Sequence, residues 1–133
     1  MYKDHCFYRV SIKAIIEDED GGILLLQEKS GLWELPGGGL EYEEKIDDCL
    51  NRELGEEVGT KIESISPAPK FIWQQRREKD NMIYHCLFLA YKVKVKSIDI
   101  KVSDECVAYK YFNREEMTGI KLHPNLTQFV KLI

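Results

Sequence analysis

Eight carboxylates crowd the stretch from Glu41 to Glu57: Glu41, Glu43, Glu44, Asp47, Asp48, Glu53, Glu56 and Glu57. Only Lys45 and Arg52 oppose them, so the segment carries −6 while the rest of the chain carries +2. On a helix turning about 100° per residue, with Ile46 at zero, Leu50 falls near ~40° and Leu54 near ~80°. Glu53 (near ~340°) and Glu57 (near ~20°) fall inside that apolar stripe, and Glu56 (near ~280°) lies at its edge. Two carboxylates about 6 Å apart repel by roughly 3 kcal/mol at an effective dielectric of about 20. Carboxylates turned toward the protein on consecutive turns therefore call for a cation. All-oxygen donors suit Mg²⁺, Mn²⁺ or Ca²⁺. The D-x-[DN]-x-[DN]-G calcium loop is absent. A Mg²⁺ site with open water positions is what phosphate chemistry uses.

Directly before these acids stands LWELPGGGLEYEE. Pro36 ends any regular element, and Gly37, Gly38 and Gly39 let the main chain approach a ligand closely. The expected helix runs over residues 43–58, with acids in its first turn and Gly59 as its C-terminal stop.

The stretch GGLEYEEKIDDCLNRELGEEVGT, residues 38–60, resembles the Nudix box. Gly38, Glu44, Arg52, Glu53, Glu56, Glu57 and Gly59 match its fixed positions, and Leu54 fills the aliphatic slot. Thr60 departs from the usual aliphatic residue. Seven such identities arise by chance at on the order of 10⁻⁹ per position. The resemblance implies an α+β fold, an α/β/α sandwich with a mixed sheet, and a pyrophosphohydrolase of nucleoside diphosphate derivatives that needs Mg²⁺ or Mn²⁺. It implies that Glu53, Glu56, Glu57 and the Gly38 carbonyl hold the metal. Glu53 is then the candidate base, Arg52 its orienting partner and Glu44 structural support. Many family members add an acid in a later loop, where this chain has Asp104 and Glu105. Glu105 is the expected extra base or ligand.

The elements that must position these groups are legible in outline. Residues 8–17 alternate as a strand, and residues 23–26 form a short buried one. The polar turn between them suggests a hairpin. Residues 70–76, 83–95 and 107–112 read as further strands. Asn113 caps a short helix reaching Met117, and Pro124 opens a last one ending near Leu132.

The chain has 133 residues, 44% hydrophobic and 32% charged. That predicts one domain over residues 1–133 and excludes a disordered chain. No apolar run is long enough to span a membrane. The first ten residues show no secretory signal, and the scattered Cys6, Cys49, Cys86 and Cys106 fit reduced thiols, so a cytoplasmic protein is expected. The mildly basic remainder lacks the broad basic face of a nucleic-acid binder. The expected partner is a small nucleotide, and the protein is expected to be a monomer or homodimer.

The sequence marks the substrate less sharply. Sub-signatures of ADP-ribose, dinucleoside polyphosphate and NADH hydrolases fail, and the short chain most resembles MutT-like triphosphate cleaners. The expectation is a (d)NTP, oxidised forms included, cut to a monophosphate and pyrophosphate. Trp73 and Tyr84 are the candidate stacking rings. Asn125, at the place where MutT-like enzymes carry a base-reading asparagine, and Gln74 are the candidate edge readers. Arg76, Lys29 and Arg9 are the candidate phosphate cations. Gln27-Glu28-Lys29 stands where the family usually has an arginine. The alternatives are a hydrolase of ADP-ribose or dinucleoside polyphosphates, a nucleotide sensor that does not cleave, and an isomerase of the same fold. His5, His85 and His123 are read as ordinary histidines.

Overall fold

The computed structural model describes residues 8–103 and 105–133. Cys6, His5 and Asp104, named above, lie outside the described residues. The elements are β1 (Tyr8–Ile15), β2 (Ile23–Gln27), β3 (Trp33–Glu34), β4 (Gly37–Gly39), α1 (Ile46–Glu57), β5 (Ile62–Ile65), β6 (Phe71–Lys79), β7 (Met82–Val95), β8 (Ala108–Phe112), α2 (Arg114–Met117) and α3 (Phe129–Leu132). A single 3₁₀ turn, Pro124–Leu126, precedes α3.

The strands form two sheets. One has the order β4-β1-β7-β5, with β6 also paired to β7, and the other has the order β3-β2-β8. β1 and β7 run parallel and the other pairs antiparallel, so the larger sheet is mixed as expected. Strand alternation sends neighbouring residues to opposite faces. Ile12, Ala14, Tyr91 and Val93 pack with Cys49, Leu50 and Leu54 of α1. Ile15, Trp73, Phe88 and Ala90 pack on the other side with Met117, Leu126 and Phe129. Helices thus cover both faces, which is the sandwich the sequence led us to expect.

The expected β1–β2 hairpin is not formed. The turn is tight, with Asp18 N–H bonding Gly22 O at 3.0 Å and Leu24 N–H bonding Ile16 O at 2.9 Å. Beyond one bridge between Glu17 and Ile23 the strands part into different sheets. Both carry buried residues on both faces, so each is saturated by other partners and by the helix layers.

α1 starts later than expected. Glu43 has φ 62°, outside helical space, and Lys45 is the extended N-cap. Asp47 and Asp48 in the first turn favour the helix dipole. Leu50 and Leu54 are fully buried, each contributing about 1.5–3 kcal/mol. Gly59 ends the helix at φ 64°, where a Cβ would meet the Asp99 carbonyl oxygen at 2.3 Å. Asn113 caps α2 in a full capping box with Glu116. The last expected helix is split, because the Pro124–Leu126 turn and α3 are separate elements.

Candidate active site

The three glycines form β4, held against β1 with Gly37 opposite Lys13, Gly38 opposite Ile12 and Gly39 opposite Ser11. Gly37 has φ 126°, and a Cβ there would lie 2.1 Å from the Ile12 carbonyl oxygen. Only glycine fits this position. The close approach lays the loop against the acidic face of α1. Gly37 N–H donates to Glu57 Oε1 at 2.8 Å. A Cβ on Gly38 would meet Glu53 Oε1 at 2.4 Å. Glu53 and Glu57 therefore face the loop that carries the Gly38 carbonyl, as the periodicity required.

Arg52 joins the two sides of the box. Its Nε and Nη2 donate to Glu44 Oε2 and Oε1, both at 2.9 Å, and its Nη1 donates to Glu53 Oε1 at 2.8 Å. Nη2 also reaches Gly39 O at 3.3 Å. The fork is a planar clamp of the kind only arginine makes. These hydrogen bonds from Arg52 hold the Glu44 carboxyl down to about 2. The same bonds, to Glu44 and then Glu53, push the guanidinium further up.

Glu57 is the opposite case. Burial first of all, with the neighbouring charges of Glu53 and Glu34, raises its carboxyl to about 7, against the lowering effect of the Gly37 N–H and of Lys13. A half-neutral carboxyl beside two other acids is an electrostatic deficit that a cation would fill. Glu53, Glu57 and the Gly38 carbonyl are hard oxygen donors, which fit Mg²⁺ or Mn²⁺. Glu56 is exposed. Among the described residues, no three His, Cys, Asp or Glu side chains already converge as a metal shell.

A cavity of about 390 Å³ opens beside Glu57, lined also by Glu34, Leu35, Lys29, Ser30 and Glu105. Lys29 and Glu105, from distant segments, thus share one space with Glu57. The other substrate-side candidates do not reach it. Trp73 is buried, stacked on Phe88 at 5.1 Å and tilted 40° against Phe129. Its indole N–H donates to Asn125 O at 2.7 Å. It is a core residue, because β6 turns position 73 toward the short helices. Asn125 spends its amide on Glu34 Oε2, at 2.9 Å, and on Arg77. Arg76 and Gln74 point to the face opposite Trp73, and Arg76 pairs with Glu78 at 3.1 Å. Of the two adjacent arginines it is Arg77 that faces Asn125.

Lys13, Glu34 and His123 were missed as site residues. Lys13 is buried, with Nζ 3.4 Å from both Leu35 O and Gly37 O and 3.8 Å from Glu34 Oε1. His123 Nδ1 accepts from Asn125 N–H and lies 3.3 Å from Glu34 Oε2. Burial pushes this imidazole down. The signal for Lys13 was a single cation inside the run from Ile12 to Ile16. Cys49, Cys86 and Cys106 are buried thiols whose burial pushes them up, Cys49 to about 11. They are unreactive fillers.

Comparison with known proteins agrees with this geometry. The NUDIX domain family model matches residues 7–133. A MutT protein from Methanosarcina mazei superposes with a TM-score of 0.72 at 26% identity, covering 94% of this chain and 91% of that one. A MutT-like protein of Streptomyces ambofaciens is 39% identical over 57 residues, which is 42% of this chain but only 37% of the relative's length. The nucleoside triphosphatase NudI of Klebsiella pneumoniae is 27% identical over 101 residues, 70% of each chain. With a box loop and acidic helix in the expected arrangement and the domain model matched by residues 7–133, the chain belongs to the Nudix family.

Proposed function

We propose that this protein is a divalent-metal-dependent pyrophosphohydrolase that cuts a (d)NTP to the nucleoside monophosphate and pyrophosphate. The observation that carries the reading is the Gly37–Gly39 loop laid against Glu53 and Glu57, beside a cavity that Lys29 and Glu105 also line. The likeness to NudI, over 70% of both chains, supports the triphosphate class.

In this reading Glu53, Glu56, Glu57 and the Gly38 carbonyl would hold the cation. The cation supplies charge neutralisation on the pyrophosphate oxygens and a more acidic water. Arg52 anchors Glu53 Oε1 and so sets the rotation of that carboxylate as a proton acceptor. Glu44 orients Arg52 in turn, through two hydrogen bonds of 2.9 Å. Lys29 meets the phosphates across the cavity, in place of the arginine expected at the end of β2. Glu105 is the second carboxylate able to take a proton there. Half-buried Glu57, hydrogen-bonded to the main chain, orders the loop before any ligand arrives.

The test is a panel of ribo- and deoxynucleoside triphosphates, ADP-ribose and dinucleoside polyphosphates, each with Mg²⁺, with Mn²⁺ and with EDTA, products separated by ion exchange. Monophosphate and pyrophosphate from triphosphates, abolished by EDTA, is the expected result. Preferential cleavage of ADP-ribose or a dinucleoside polyphosphate would replace the substrate, and no cleavage with any metal would return the sensor reading.

A further inference from the structure

Lys13 is the most buried charged residue among the described residues, at 5% exposure. It stands on β1 opposite Gly37 of the glycine loop. Its Nζ lies 3.4 Å from Leu35 O, 3.4 Å from Gly37 O and 3.8 Å from Glu34 Oε1. N–H···O bonds ordinarily measure about 2.7–3.2 Å. All three contacts are longer, so no one of these acceptors holds the ammonium closely. Glu34 is also engaged elsewhere: Oε1 accepts the Leu35 N–H at 3.0 Å, and Oε2 accepts the Asn125 amide at 2.9 Å. Burying an ammonium is costly unless negative charge compensates it.

Part of that compensation comes from across the loop. Gly37 gives its carbonyl to Lys13 and its N–H to Glu57 Oε1, so one residue stands between the ammonium and the carboxyl. The charge of Lys13 favours ionised Glu57, while the charges of Glu53 and Glu34 oppose it. The ammonium is therefore within electrostatic reach of the box acids, at a fixed place. Charges act on one another more strongly out of water than in it. A divalent cation held by those acids meets a resident positive charge on the other side of the loop.

We propose that Lys13 is a fixed countercharge of the box, a positioning residue that steadies the glycine loop and Glu57 without a metal and, by like-charge repulsion, loosens the hold on the divalent cation. The inference rests on the reading of Glu53, Glu56, Glu57 and the Gly38 carbonyl as the cation's ligands, and it concerns how tightly they hold it. Lys13 does not line the cavity beside Glu57, so it acts through the loop and Glu57 rather than on the substrate. The free enzyme then holds its cation loosely, and the phosphates of the nucleotide supply the negative charge that secures it.

The experiment measures Mn²⁺ binding without nucleotide, from the paramagnetic resonance signal of free Mn²⁺, under argon at about pH 8.5 so that protons compete little for the carboxylates. Wild type is compared with Lys13→Met, Lys13→Gln and Lys13→Arg, each checked by its melt. Lys13→Met is neutral and of similar volume, and should bind Mn²⁺ at least about threefold more tightly than wild type. Lys13→Gln should do the same and carries the test if the Met variant does not fold. Lys13→Arg keeps the charge and should stay within about twofold of wild type. The Mg²⁺ concentration giving half-maximal hydrolysis should fall in the neutral variants by the same factor as the Mn²⁺ dissociation constant. A residue that only braces the loop gives the opposite sign, because a loosened loop binds metal less well. Unchanged or weaker Mn²⁺ binding in a folded neutral variant therefore overturns the proposal, even if wild type hydrolyses triphosphates. Wild type that binds Mn²⁺ and shows the Lys13 effect, yet cleaves no nucleotide, instead overturns the hydrolytic reading and leaves the countercharge standing. Wild type that binds no Mn²⁺ overturns the metal reading and the countercharge with it.

Discussion

Glu57 Oε1 accepts the Gly37 N–H at 2.8 Å across twenty residues of sequence. This single bond ties the C-terminal end of α1 to the start of the glycine loop. It also leaves a carboxyl half-buried at a place where its charge is poorly tolerated without a cation.

That burial sets a pH dependence. The folded-state value of Glu57, about 7, lies above the ordinary 4.5. A carboxyl raised in this way favours folding below about pH 4.5, and the contribution is lost as pH rises through 7. In EDTA, Glu57→Gln should therefore be more stable than wild type at pH 8, by on the order of 2–3 kcal/mol, and equal to it at pH 4. Thermal melts at the two pH values test this. Mg²⁺ should raise the wild-type Tm at pH 8 and act less on Glu57→Gln.

Gly37→Ala should destabilise by at least about 2 kcal/mol, because it combines positive φ with a backbone clash. Gly55→Ala, with open space around its Cβ on α1, should gain up to about 1 kcal/mol. Urea unfolding of both variants measures the contrast. Equal behaviour would mean that the loop is not packed against β1 as described.

Arg52→Lys retains charge but loses the fork that spans Glu44 and Glu53. It should lower kcat at least about tenfold with little change in Tm. Glu44 itself is held at about 2, below its ordinary value. Its contribution to stability is complete above about pH 4.5 and is lost as pH falls toward 2. An acid titration should show that loss shrinking in Glu44→Gln.

Trp73→Ala should cost about 3–5 kcal/mol, as expected for emptying an aromatic core site. Trp73→Phe, once folded, should keep the wild-type KM. Arg76→Ala should also leave KM unchanged, while Lys29→Ala raises it. Steady-state kinetics on the three soluble variants distinguishes cavity from opposite face.

The pattern of what was legible follows from range. The carboxylate stripe of α1 and the stop at Gly59 depend on helical periodicity and on one positive φ, both local, and they stand where the sequence put them. The spacing of Gly38, Arg52, Glu53 and Glu57 carries the box geometry for the same reason. Trp73 and Arg76 depend on which face β6 turns to the short helices, and two strand assignments one residue apart exchange every side chain. The β1–β2 hairpin failed because both strands are buried on both faces by other partners, and neither strand's own sequence says which neighbour it will take. Lys13 went unread because a buried ammonium is recognised only when the Leu35 and Gly37 carbonyls are seen around it.

The most direct test of the account is turnover of Glu57→Gln on a cleaved triphosphate at saturating Mg²⁺, with folding verified by its melt. The account predicts that the variant folds and loses most of its activity, by at least about a hundredfold in kcat. Turnover like that of wild type in the folded variant would contradict it, because the carboxylate bound to Gly37 would then have no part in the chemistry.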